Sequence, residues 1–156
     1  YLLQIGQQPL SDSQVPEVFA MITMSSHMET IGDIVNRNLL PLLAKKRALE
    51  IDFSEEGKDE LLRYHKKVCK QISRLEKTFS ELDPKRAKKV ILKQEKYQNL
   101  EEEYRVAHLQ RMHLSREETL KTHEIHTELL ELLKRINVYT GEIAKIILDL
   151  NEIEQN

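Results

Sequence analysis

The sequence has few residues that interrupt helices and few that could form disulfides. Its 156 residues include no tryptophan, one cysteine, four glycines and four prolines. Because Cys69 is the single cysteine, a disulfide within the chain is excluded. Few glycines and prolines among many Leu, Glu, Lys and Arg residues favour helices over sheets. No stretch approaches the ~18 apolar residues that a membrane-spanning helix needs.

The charge balance also argues against two kinds of partner. The 24 basic and 26 acidic residues leave a net charge of −2, so no overall field would attract nucleic acid or drive insertion into an anionic membrane. The basic runs at residues 45–47 and 85–89 are local and typical of solvated helix ends. Because the chain begins at Tyr1 without an initiator methionine or a signal peptide, we expect a piece of a longer protein.

Capping residues divide the chain into four helical segments. Polar residues at 11–13 would cap a first helix that runs to about Glu50, with a bend near Pro41, and residues 54–56 open a second. Asp83 and Pro84 separate the second helix from the third, and residues 115–118 have capping-box spacing for the fourth. The prediction is an all-α, antiparallel bundle of four long helices, with residues 1–13 as an N-terminal extension or linker and residues 14–153 as the bundle domain.

Apolar residues recur at steps of three and four along the helices, as near-parallel helix packing requires. The predicted seam of helix one is Met21, Met24, Met28, Ile31, Val35, Leu39 and Leu42. That of helix two is Leu61, His65, Val68, Ile72, Leu75, Phe79 and Leu82. That of helix four is Thr122, His126, Leu129, Leu133, Ile136, Thr140, Ile143, Ile147 and Leu150.

Polar side chains interrupt these inner faces. On a second stripe of helix one, Glu29 and Asp33 lie four residues apart, so both carboxylates project from one face. Apolar residues on both sides predict that this pair is partly covered and needs a cation or donors. The predicted inner line of helix three is half polar: Ala87, Val90, Gln94, Tyr97, Glu101, Tyr104, Arg105, His108 and Met112. A polar layer is predicted from Ser26, Glu29, Asp33, Asn36, Glu101, Arg105, His108, His126, Lys134 and Asn137.

Simpler interpretations stand beside this layer. Acid pairs four residues apart are common in a charged chain, and Glu101 with Arg105 would form an ordinary ion pair. A histidine on a seam is more often a hydrogen-bonded core residue than a ligand. His123 and His126 are three residues apart, and their helix positions would send them to different sides.

Catalysis has little support in the sequence. A di-iron bundle enzyme needs Glu-x-x-His pairs on two helices, and the chain contains none. Cys69 is expected near an apolar seam, where a thiol is usually inert, and the chain has no glycine-rich phosphate loop. We therefore expect a protein that is not an enzyme.

Residues 28–40, which include Glu29, Gly32 and Asp33, resemble the acidic E-x-x-x-D signature of PhoU domains, usually L-E-R-I-G-D. Residues 15–150 as a whole resemble the PhoU-like domain that follows the membrane part of bacterial sodium/phosphate cotransporter-family proteins. The shorter supporting stretches are residues 53–57, 103–109, 126–130 and 133–137.

The resemblance implies a non-catalytic regulatory or sensory domain on the cytoplasmic side of the bacterial inner membrane, partnered by the membrane-spanning part of the same transporter-like protein. It also implies that Glu29 and Asp33 bind a divalent or iron-type metal ion, joined by His108 or His126 if the ion is iron or zinc.

The second copy of the signature departs from the PhoU pattern. Lys134 and Val138 stand in the places of its Glu and Asp, and Asn137 stands in the place of glycine. Lys134 would then neutralise the acid pair instead of a metal. The alternative function is a structural or homodimerising module without a ligand, since helix one carries two apolar stripes.

Overall fold

The computed structural model of the chain describes residue 11 and residues 14–114 and 117–153, and within them it is helical without any strand. The elements are α1 (Gln14–Asp33), a π-helical segment (Ile34–Leu39), α2 (Leu40–Arg47), α3 (Glu55–Glu81), α4 (Pro84–His113) and α5 (Glu117–Ile153). The predicted all-α class is confirmed. None of the described helices is long and apolar enough to cross a bilayer.

The predicted helix boundaries follow from side-chain caps. Ser54 accepts a hydrogen bond from the backbone N–H of Gly57 at the start of α3. Leu82 has a left-handed backbone (φ 47°) and ends α3, and the Asp83 carboxylate accepts from two N–H groups of the first turn of α4. The first segment ends at Arg47, three residues before the expected Glu50. The expected caps at Asp12, Ser13 and Ser115 lie outside the described residues.

The first segment is one continuous rod of α1, the π-helical segment and α2. Backbone angles at both junctions are right-handed helical, and the Leu40 N–H donates to the carbonyl of Val35, five residues back. Pro41 follows at once and has no N–H to donate to the carbonyl four residues before it. A widened, π-helical turn therefore lies directly before Pro41, at the position where the sequence predicted a bend.

Side-chain contacts give the directions of the helices. Gln71 donates to the carbonyl of Val90, so α3 and α4 run in opposite directions from the Asp83 turn. Asn137 of α5 donates to the carbonyl of Gln94 of α4, and Arg105 pairs with Glu131, so α4 and α5 are also opposed. The first rod packs along α5, where His27 contacts Tyr139 and Lys45 contacts Glu124.

The core follows the predicted seams on α4 and α5 closely. Every predicted seam residue of α5 from Thr122 to Ile147 is buried, as are most of the predicted inner residues of α4. Four of the seven residues in the predicted seam of helix two are wrong, since His65, Ile72, Phe79 and Leu82 are exposed. The buried residues of α3 are Gly57, Leu61, Tyr64, Val68, Gln71, Leu75 and Thr78.

The first rod buries little of its apolar surface. Its buried residues are Ala20, Met24, Ile34 and Leu42. Met21, Met28 and Val35, which the sequence assigns to the seam, are exposed, and Phe19 is 70% exposed. Helix α1 is thus apolar on its outer face as well as on the face toward α5.

Candidate functional site

The acidic pair lies on the outer side of the first rod. Glu29 is exposed and Asp33 is half-buried, while Ser26 and Asn36 are exposed. The expectation that apolar neighbours cover this patch is wrong for the described residues, because α1 packs against α5 with its opposite face. Glu29 and Asp33 as metal ligands stay a prediction.

A salt bridge links this pair to the π-helical segment. The Arg37 guanidinium, which is largely exposed, lies 3.2 Å from an oxygen of the half-buried Asp33. Asp33 ends α1 and Arg37 belongs to the widened turn, so the bridge crosses the junction. Within the described residues, no group of three or more His, Cys, Asp or Glu side chains is arranged to hold a metal. Two carboxylates alone would leave most positions of an ion to water.

A second polar group lies inside the bundle, around Glu101. This carboxylate is fully buried on α4 and accepts hydrogen bonds from Arg105, while Lys134 of α5 lies 3.4 Å from its second oxygen. Arg105 also donates to Glu131 at 2.9 Å. Lys134 therefore neutralises Glu101 and not the acid pair of helix one, which corrects the expected role of this lysine.

Tyr64 of α3 faces the same network. Its hydroxyl is buried without a hydrogen-bond partner, and its ring lies edge-on to Tyr104. Burial, followed by the negative charge of Glu101, raises the pKa of Tyr64 above its ordinary value. The phenol therefore stays neutral and borders the charged network as an uncharged side chain.

Three histidines stack where α4, α5 and the start of α3 meet. The rings of His108 and His126 are parallel with centroids 4.1 Å apart, and the ring of His123 is nearly parallel to that of His108 with centroids 5.1 Å apart. His108 Nε2 and His123 Nδ1 are 2.8 Å apart, so one ring donates to the other. His123 and His126 thus share a neighbour, contrary to the expectation that they diverge.

Close packing at Gly57 fixes the third ring. His126 Nε2 donates to the carbonyl of Gly57 at 3.2 Å, which leaves its Nδ1 as a buried acceptor without a partner. A Cβ at position 57 would lie 3.3 Å from that ring. These hydrogen bonds already occupy one nitrogen of each of the three rings, and the described residues hold no group of three or more metal-ligand side chains.

His108 and His126 are neutral at physiological pH. Burial, with the charges of the other two histidines and Arg111, lowers the pKa of His108 to about 3. Burial and the charges of Arg111 and His123 lower the pKa of His126 to about 4, although its bond to Gly57 acts in the opposite direction. The cluster therefore opposes protonation.

Two further contacts complete the polar interior. Asn137 is buried and bonded to the backbone of Gln94, so it ties α5 to α4. Arg111 forms a bidentate salt bridge with Glu60, with N–O distances of 2.8 and 2.5 Å, at the end of the bundle where the histidines lie. Sequence analysis missed this pair. Its signal was weak, since the two residues are 51 positions apart and each looks like an ordinary surface charge.

The predicted polar layer is thus two separate groups. Contacts within the bundle join the members of the predicted layer that lie on α4 and α5. Asn137 is the exception, because it bonds to the backbone of α4. Among the described residues, the helix-one members lie outside these contacts. The inner members are Glu101, Arg105, His108, His126, Lys134 and Asn137, and the outer members are Ser26, Glu29, Asp33 and Asn36.

Comparison with curated proteins finds one kind of relative. The chain is 24% identical over 149 residues to the "Putative inorganic phosphate export protein YjbB" of Salmonella typhimurium and to that of Escherichia coli strain K12. Each match covers 96% of this chain and 27% of the relative, so the chain spans about a quarter of the length of these relatives. No protein-family model and no solved structure matches the chain.

Proposed function

We propose that the chain is a non-catalytic regulatory domain of a membrane protein that transports phosphate, with an antiparallel, PhoU-like four-helix bundle. The similarity to the phosphate export proteins, over nearly all of this chain and a quarter of theirs, carries the proposal. The domain would lie on the cytoplasmic side of the bacterial inner membrane, with the membrane-spanning part of a sodium-dependent phosphate cotransporter-like protein as its partner.

The geometry supports regulation more than catalysis. The interior charges are paired with one another, as Glu101 is with Arg105 and Lys134, and Arg111 with Glu60. Charges that satisfy each other within a core fix one packing arrangement and offer no free acid or base. The described Cys69 is exposed and within 3.4 Å of His65, which corrects its expected place near a seam. Within the described residues, that contact has no third group to orient the histidine as catalysis requires.

The mechanism we propose uses the junction at Asp33. A metal ion bound by Glu29 and Asp33 would compete with Arg37 for the Asp33 carboxylate. Release of Arg37 would remove a link between α1 and the widened turn, whose hydrogen bonding departs from that of an α-helix. The packing of the first rod on α5 would then respond to the ion, and this change would pass to the membrane part.

Metal analysis and calorimetry test the ion. We expect Glu29→Ala/Asp33→Ala to abolish the heat of binding for Mn²⁺, Fe²⁺ or Zn²⁺ that the unmodified chain gives. The matched control is Glu124→Ala/Glu128→Ala, another acid pair four residues apart in which one member, Glu124, also contacts a cation. Identical titrations for the chain and both variants would contradict the metal site.

The exposed apolar surface of α1 favours a second candidate, a homodimerising module. Val15, Phe19 and Met21 are about half or more exposed, and exposed apolar side chains gathered on one element are typical of an interaction surface. Light scattering of the chain tests this function. A dimer that becomes monomeric on Phe19→Gln would support it, whereas a monomer at every concentration would exclude it.

A further inference from the structure

Basic residues are concentrated in the hairpin formed by the later part of α3 and the first part of α4. Residues 66–96 hold eleven of the chain's 24 basic residues and four of its 26 acidic ones. This hairpin is therefore strongly positive although the chain as a whole is nearly neutral. Positive charge gathered on one surface raises the local concentration of anions.

A small cleft of about 90 Å³ lies between the two helices within this hairpin. Arg74, Lys77 and Thr78 line it from α3, and Arg86 and Lys89 line it from α4. Four of these five lining side chains are therefore cationic. The space suits a single small oxyanion and is far below the size of a pocket for a drug-sized ligand, about 300 Å³ or more.

Three of these cations have no carboxylate partner among the described residues. The Arg74 guanidinium donates to two neutral groups, Gln71 Oε1 at 3.1 Å and the Tyr97 hydroxyl at 3.4 Å. Lys77 and Lys89 have no acidic group within ion-pair distance in the described part of the chain. Like charges around one small space repel each other unless an anion lies between them.

The other two lining residues are already engaged. The Thr78 hydroxyl is buried and donates to the carbonyl of Arg74 at 2.8 Å. Arg86 pairs with Glu81 at 2.7 Å and with Asp83 at 3.3 Å, so the two acids near the cleft neutralise Arg86. The uncompensated donors are the heads of Arg74, Lys77 and Lys89. Together they offer the charge-assisted hydrogen bonds that phosphoryl oxygens accept.

We propose that the α3–α4 cleft binds a phosphoryl-bearing anion through Arg74, Lys77 and Lys89. The phosphoryl group would belong to free inorganic phosphate or to a phospholipid headgroup, which present the same oxygens to the cleft. The inference stands on the charge and geometry of the hairpin. It does not depend on the acid pair of α1 or on the proposed regulatory function.

Calorimetry with inorganic phosphate tests the cleft, with sodium chloride of equal ionic strength as the reference. We expect Lys77→Gln/Lys89→Gln to bind about tenfold more weakly, because each lost charged donor removes one charge-assisted hydrogen bond. The matched control is Lys66→Gln/Lys88→Gln, which removes the same charge from exposed positions outside the cleft. Circular dichroism should show both double variants folded, since none of the four lysine heads has a hydrogen-bond or ion-pair partner to lose among the described residues.

Vesicle sedimentation distinguishes the two sources of the anion. The probes are vesicles of phosphatidylcholine alone and of equimolar phosphatidylcholine and phosphatidylserine. Binding of phosphate that Lys77→Gln/Lys89→Gln loses and the control keeps supports the cleft as a site for free phosphate. The same pattern with anionic vesicles alone supports a lipid headgroup. No binding of either probe, or an equal loss in both double variants, would overturn the proposal.

Discussion

At the level of single residues, the buried carboxylate of Glu101 organises the interior charges, because Arg105 and Lys134 both approach it. We expect Glu101→Gln to lower the free energy of unfolding by about 2 kcal/mol, since it leaves two cations without their buried partner. Glu131→Gln removes an outer, half-exposed member of the same network and should cost less than about 1 kcal/mol. Urea denaturation of both variants checks this, and equal losses would contradict the central place of Glu101.

The histidine stack predicts how stability depends on pH. His108 and His126 have folded-state pKa values of about 3 and 4, below the ordinary value of 6.5. The unfolded chain therefore takes up protons that the folded chain refuses, so stability is full above about pH 6.5 and falls as the pH decreases toward 4. Each of these histidines lowers the free energy of unfolding by at most about 1.4 kcal/mol for each pH unit of acidification.

Thermal unfolding between pH 7.5 and pH 4.5 measures this effect. His126→Gln should show a shallower loss of melting temperature on acidification than the unmodified chain, even if it is less stable at pH 7.5. His65→Gln is the control, because His65 is exposed on α3, and it should keep the original slope. Parallel curves for all three proteins would mean that the stack does not resist protonation.

At the level of elements, α4 and α5 pack tightly against each other at Gly141. A Cβ there would lie 2.7 Å from Cγ and 3.2 Å from Cβ of Gln94, and these atoms sit near the backbone of α4, so the helices would have to separate. We expect Gly141→Ala to destabilise the bundle by about 1–3 kcal/mol.

Gly32 of α1 provides the matched comparison for this substitution. Nothing lies within 4 Å of a Cβ at position 32, so Gly32→Ala should stabilise the chain by about 0.5–1 kcal/mol through helix propensity. Chemical denaturation of the two variants gives the signs directly. A destabilising Gly32→Ala, or a neutral Gly141→Ala, would show that the described packing of these helices is wrong.

The elements also show what the sequence could and could not predict. The ends of α3 and the start of α4 were predictable because Ser54, Asp83 and Pro84 act locally. The buried face of α3 was not predictable, because two stripes of residues compete for it. The stripe through Ile72 and Phe79 is the more apolar, but the stripe through Tyr64 and Gln71 is the one that is buried. Tertiary hydrogen bonding decides between them, since Gln71 reaches the backbone of α4.

At the level of the whole molecule, the packing of one helix against another determines which candidate residues are in contact. The polar residues of α4 and α5 could be expected together, because each lay on a buried line of its own helix. The exposure of Glu29 and Asp33 could not be foreseen, because helix one has apolar residues on every side and periodicity does not choose among them. The contact of Arg111 with Glu60 depends on the register of two helices and carries no local signal.

The most direct test of the proposed function is phosphate flux through the proposed full-length transporter, with and without residues 14–153. The flux is measured at equal abundance in the membrane and over a range of phosphate concentrations. The account predicts that the truncated protein still moves phosphate but that its rate no longer responds to phosphate supply as the intact protein's does. An unchanged response, or an intact protein that moves no phosphate, would contradict it.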